Sequence, residues 1–249
     1  MIKRKPQPKT LSSSDSGFTI IESLIGIVVV AILMAAISPV LVMSTAIRVQ
    51  SRRVEKATQA ANTFIDGVRT GSIPPPTANQ IPLDPATAED PRDLAQNLIS
   101  SVNMEAPSTA TDPDLYLFTK DGNICHLNPE SEEIDQPDCT SESPFDEFYI
   151  QARQIIVRES QASDGYRLAV RVYRGDVDFD KPLLANIQED VAGNTSTKTA
   201  SVVTEGLGNK QAPAVERTAD IASIGTSFEA LCQRFGIAPD NDGNGQSCN

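Results

Sequence analysis

From residue 24 to residue 43 the chain runs for twenty residues without a charge, through Ile25, Val28, Val29, Val30, Ile32, Leu33 and Met34. At about 1.5 Å rise per residue, a helix of that length matches a bilayer core. Past it the pattern changes register rather than stopping. Val54, Ala57, Ala61, Phe64, Ile65 and Val68 recur at helical spacing, with Arg53, Glu55, Lys56, Gln59, Asn62 and Asp66 on other faces. Gly71 and then Pro74-Pro75-Pro76 end the helix. A helix over residues 18–70 has 53 residues, about 80 Å if unbroken. Such a helix cannot bury itself. Its first half needs lipid or sister helices, and its second half needs a globular head to lie on. Pro39 removes one backbone hydrogen bond and permits a bend or local melting.

Beyond residue 71 the period shortens. Residues 72–114 are rich in Pro, Asp, Thr and Ala and read as loop and linker, with a short helix around residues 90–101. Strand patterns follow at residues 115–119, 148–157 and 166–174, with a turn at Asp121-Gly122-Asn123 and another at Ser163-Asp164-Gly165. In the last of these, Tyr166, Leu168, Val170 and Val172 alternate with arginines, the pattern of a half-buried antiparallel strand. The two longer segments form a hairpin, and residues 200–204 offer a fourth strand. Residues 186–211 read as a polar insertion or mobile loop, and residues 221–235 as a helix packed on the sheet. One long helix followed by a small antiparallel sheet is an α+β architecture.

Composition narrows the chemistry. The chain of 249 residues has a formal charge of −12, few aromatics and no Trp, so nucleic acid is not an expected partner. Its basic cluster, Arg48, Arg52, Arg53 and Lys56, follows the apolar run directly and reads as a membrane-flanking group. Cys125, Cys139, Cys232 and Cys248 suit two disulfides in an oxidising compartment. Of three connectivities the sequence-local one, Cys125 with Cys139 and Cys232 with Cys248, is preferred. Asp240, Asp242, Asn244 and Gly245 match the first half of an EF-hand loop, but the closing Glu would lie beyond Asn249. These oxygens could hold Ca²⁺ only if another loop supplied ligands; a polar turn is the simpler reading, and no other cofactor is expected. Asp176, Asp178 and Asp180 read as a solvated turn. No nucleophile elbow, phosphate-binding glycine loop or HExxH is present, and His126 stands alone beside Cys125, so no catalytic residue is assigned and the chain reads as a non-enzyme.

The start of the chain carries the most specific signal. Lys3, Arg4, Lys5 and Lys9 precede a serine-rich linker ending at Gly17, and then come Phe18, Thr19, Ile20, Ile21 and Glu22. Four basic residues on each side of the apolar run leave its orientation nearly balanced. A secretory signal peptide cut after Ser44-Thr45-Ala46 is one reading, although its apolar region would exceed the usual 7–15 residues or so. Residues 17–22 resemble the type III signal of type IV pilins and pseudopilins. In that family a prepilin peptidase cuts after the glycine and N-methylates the new first residue. The resemblance covers roughly the first fifty residues.

It implies a leader over residues 1–17 that is removed, N-methyl-Phe18 as the mature start, and Glu22 as the fifth mature residue. Pro39 then takes the place of the family's helix-kinking proline. Residues 18–47 would be the transmembrane and assembly helix, 48–71 its second half, and 72–249 a periplasmic or extracellular head of pilin-like fold. A carboxylate within a membrane helix costs about 2.5–3.5 kcal/mol near the centre, less near an end, and is by default functional. Glu22 can lie shallow enough to reach the headgroups. The family offers another partner, the Phe18 amine of a neighbouring subunit, and the presence of this glutamate argues against the large apex pseudopilins. The implied protein is a minor pilin or pseudopilin. It waits in the inner membrane, meets the peptidase and the assembly platform, and joins other pilins in a type IV pilus-like or type II secretion-like filament for secretion, motility or attachment. The long acidic head resembles hormogonium polysaccharide secretion pseudopilins, and equally a type II secretion or competence minor pilin. The alternative is a displayed binding protein, an adhesin or a polysaccharide or DNA receptor, on the same anchor. A secreted enzyme released after Ala46 is the remaining reading.

Overall fold

The computed structural model describes residues 19–85, 99–127, 139, 141–160, 164–189, 195–197, 209–223 and 225–235. The chain divides into two compact units, residues 1–45 and 46–249. Helix α1 (Ile20–Thr70) contributes to both and is helical without a break across Pro39. In the first unit its apolar side chains are exposed, from Ile20 at 88% to Met43 at 53%. None of its most hydrophobic stretch is buried, and by length and composition it can cross a membrane.

In the second unit the rest of α1 lies on a six-stranded sheet. Its strands are β1 (Gln80–Leu83), β2 (Leu115–Phe118), β3 (Ile124–His126), β4 (Phe148–Val157), β5 (Tyr166–Arg174) and β8 (Val215–Ile221). Between β5 and β8, β6 (Ile187–Glu189) and β7 (Thr195–Thr197) form a separate antiparallel pair, and α2 (Phe228–Phe235) follows β8. The main order is β3-β2-β4-β5-β8, all antiparallel. Short β1 runs parallel to the far end of β4, pairing Ile81 with Ile155. Thus β4 is the centre: it holds β2 and β1 end to end on one side and β5 on the other.

Small residues let helix and sheet approach closely. Ala57, Ala60 and Ala61, with Phe64, Ile65 and Val68, pack on Tyr116, Phe118, Phe148, Ile150, Ala152, Leu168, Val170 and Val172. The register puts these sheet residues opposite one another, Ile150 with Val172 and Ala152 with Val170. Val54, expected on this stripe, is instead 38% exposed; Ala60 and Gln50 take buried places on the helix. At the helix end Gly71 has φ 76°, and Ile73 N donates to Gly67 O at 3.1 Å, a glycine-dependent stop.

The other sheet face departs from the half-buried expectation. Strand β5 is buried on both faces from Leu168 onward, because Ile99 and Met104 cover Ile155, Val157 and Ala169, joined by Ile81 and Leu83 of β1. Residues 72–114 are therefore not only linker: they supply β1 and this cover. Of the helix expected at residues 90–101, residues 90–98 lie outside the described residues, and Ser100 makes a bridge to Ile187. Residues 200–204 also lie outside them. The stretch 186–211, expected to be a polar insertion, contributes β6 and β7. The helix expected over residues 221–235 is shorter, since Ile221 closes β8 and α2 begins at Phe228.

All four tyrosines sit in this packed region, and burial raises each phenol above its usual value, Tyr166 to about 12. In the unfolded chain they ionise near 10. Unfolding therefore releases protons above that pH, and stability that is complete below pH 10 falls as pH rises toward 12. Tyrosinate absorbance should lag behind that of free tyrosine, and the urea midpoint should drop between about pH 9 and pH 11.

Candidate assembly segment

The first turn of α1 is capped by its own sequence. Thr19 accepts the Glu22 backbone N–H at Oγ1, 3.4 Å away, and its carbonyl accepts from Ser23 N at 3.2 Å. Thr19-x-x-Glu22 is the spacing of a capping box, and a carboxylate in the first turn also faces the positive end of the helix dipole. The Glu22 side chain is exposed, as is Pro39. Gly17 and Phe18 lie outside the described residues.

Farther along α1 the basic cluster splits. Lys56 pairs with Asp146 of the head, and Arg53 is held below the usual arginine range by burial and then by the Arg174 guanidinium, with Asp176 opposing. Arg48 and Arg52 are exposed. On the head side, Arg217 of β8 reaches Asn62 Oδ1 at 2.9 Å. Helix and sheet are thus tied by polar contacts around an apolar seam.

Within the head, Arg171, Asp114 and Arg234 are buried charges held in ion pairs. Arg171, fully buried, donates through Nε to Glu216 Oε1 at 2.5 Å and through Nη1 to Met104 O and Gln151 Oε1, both at 2.9 Å. Gln151 in turn donates to Glu105 O at 2.7 Å. These two side chains fasten the segment that covers the outer sheet face. Asp114, also buried, accepts from Arg153 Nε at 2.5 Å and Asn79 Nδ2 at 3.0 Å. Desolvation raises its pKa, partly opposed by Arg153. Arg234 of α2 bonds both oxygens of Asp220 and the Asp164 carbonyl, docking α2 beside the β4–β5 turn, where Gly165 at φ 75° leaves no space for a Cβ against Ile221 O. A cavity of about 270 Å³ lies here, with Arg158, Glu159, Ser160, Glu229 and Gln233 among its walls.

Cys125 and Cys139 form a disulfide. Cys232 is disulfide-bonded too, while Cys248, Asp240, Asp242 and Asn244 lie outside the described residues. Among the described residues no group of three His, Cys, Asp or Glu is placed to hold a metal ion. His126 packs against Tyr116 with the rings tilted and bonds Pro113 O through Nε2 at 2.8 Å. Asp176 and Asp178 are less solvated than expected: Arg174 and Lys181 pair with them, and Gln211 bonds both N–H and C=O of Asp178.

An apolar, uncovered helix with a carboxylate in its first turn is thus joined to an ordered α+β head. The family model of the prokaryotic N-terminal methylation motif matches residues 12–38. The chain carries a type IV pilin-like prepilin signal. No curated protein and no solved structure matches the chain. The prepilin signal ends within α1, so the pilin-like character of the head rests on its own architecture: the helix packed on an antiparallel sheet.

The two kinds of ion pair should separate in mutants. Glu216→Ala leaves a fully buried guanidinium uncompensated and should lower the unfolding free energy by about 3–5 kcal/mol. Lys56→Ala removes a pair whose side chains are 50% and 57% exposed, and should cost under about 1 kcal/mol. Urea unfolding of the full chain in detergent measures both.

Proposed function

We propose that this protein is a subunit, a minor pilin or pseudopilin, of a type IV pilus-like or type II secretion-like filament. Prepilin peptidase cuts after Gly17 and methylates Phe18. The processed chain waits as a single-pass inner-membrane protein with its head in the periplasm, and the assembly platform then moves it into a filament. Its work is mechanical, with no reaction assigned to the head. The observation that carries this reading is the match of the methylation motif across residues 12–38, which overlaps a helix whose apolar side chains are left uncovered among the described residues.

The helix explains how assembly would proceed. Leaving lipid for a bundle of sister helices keeps the apolar side chains dry, and it makes an unpaired Glu22 carboxylate strongly unfavourable. Pairing with the Phe18 amine of a neighbour neutralises both charges and sets the axial register. Repetition of that contact is heterologous and does not close, which generates a filament. In the head, the Cys232 disulfide is completed by Cys248. Ca²⁺ at Asp240, Asp242 and Asn244 would require ligands from another loop.

Glu22→Ala should leave expression and membrane insertion intact while abolishing incorporation into sheared surface or periplasmic filaments, measured by immunoblot. Normal incorporation of the mutant would sink the pairing argument. A wild-type chain that stays in the membrane while filaments form without it would favour the displayed binding protein instead.

A further inference from the structure

Charge is distributed unevenly along this chain. Residues 72–249 hold 29 acidic and 12 basic residues, whereas residues 19–71 hold three acidic and five basic ones. The head is therefore strongly anionic, and two heads brought side by side repel each other. The compensating charge lies on α1. Of its basic cluster, Lys56 and Arg53 are already engaged with or shielded by the head. Arg48 and Arg52, one turn apart on the same helix face, are exposed and enter no ion pair or side-chain hydrogen bond among the described residues.

We infer that Arg48 and Arg52 form a docking surface for the acidic head of a second copy of this chain. The inference rests on the filament reading and adds to it a contact outside the apolar helix. Charge complementarity selects the occupant. Head against head is repulsive, so the favourable arrangement of neighbouring copies sets a head against this part of a helix. Anionic lipid is the competing occupant, since Arg48 lies five residues past Met43, about 7.5 Å along the helix and within a Debye length of a lipid surface; the vesicle arm of the test separates the two. An open, repeating assembly presents the same pair of surfaces at every step, so a contact that is individually weak recurs along its length.

The test uses the full chain in native membranes, with tagged and untagged copies co-expressed. In the R48K/R52K variant the charge is kept and a primary amine is introduced that a carbodiimide can join to carboxylates. Mass spectrometry should find links between copies from position 48 or 52 to acids beyond residue 72, and 0.5 M salt should suppress them. The charge-reversed R48E/R52E chain should insert and be processed normally, yet enter filaments roughly tenfold less efficiently. Links confined to one copy, or undiminished incorporation of R48E/R52E, would overturn the inference. So would loss of flotation with anionic phosphatidylglycerol vesicles by R48E/R52E, which assigns the pair to lipid. If R48K/R52K chains cross-link between copies from position 48 or 52 but are absent from filaments, the filament reading fails and the docking contact stands.

Discussion

Sixteen large apolar side chains between Ile20 and Met43 are exposed, and among the described residues nothing covers them. Burying one such side chain is worth about 1.5–3 kcal/mol, so leaving all of them in water would cost on the order of tens of kcal/mol. That exceeds the whole stability of a typical domain, about 5–15 kcal/mol. Every other feature follows from where this stretch finds cover. On the proposed reading lipid would serve before assembly and sister helices afterwards, and the head must fold without drawing on it.

The head meets that requirement by using only the second half of α1. Ala57, Ala60 and Ala61 bring the helix close to the sheet, and Phe64 meets Tyr116 edge to face at 4.7 Å. The outer face of the sheet is closed differently. Arg171 and Gln151 grip the carbonyls of Met104 and Glu105, so an otherwise polar segment becomes a lid on Ile155 and Ala169. One face is therefore held by shape and the other by buried hydrogen bonds from Arg171 and Gln151, which are costly when broken.

How far the sequence could be read varies with the signal each element leaves. The long helix and strands β2, β4 and β5 were legible, because they carry sustained apolar periods bounded by Gly and Pro. Strand β8, Val-Glu-Arg-Thr-Ala-Asp-Ile, was not: this edge strand has three charged residues in seven and no uninterrupted alternating apolar face, and Glu216 is explained by the buried Arg171 opposite it. Strand β1 is four residues long and contains Pro82, which argues against a strand unless the position is at an edge. The arginines of β5 suggested a solvated face, and only the three-dimensional cover over Arg171 reverses that. At the candidate site, the spacing of Gly17, Phe18, Glu22 and Pro39 was visible at once. The Thr19 cap lies in the same residues, where the Thr-x-x-Glu spacing carries it.

Two properties of the chain thus divide the labour: an apolar helix that demands a collective environment, and an anionic head whose fold is complete without it. The central claim is that the helix remains in the mature protein and begins at Phe18. Intact-mass and N-terminal peptide mass spectrometry of the protein from membranes tests it most directly. The account requires a mature chain starting with N-methyl-Phe18; a chain starting at Ile47, cut after Ala46, would contradict it.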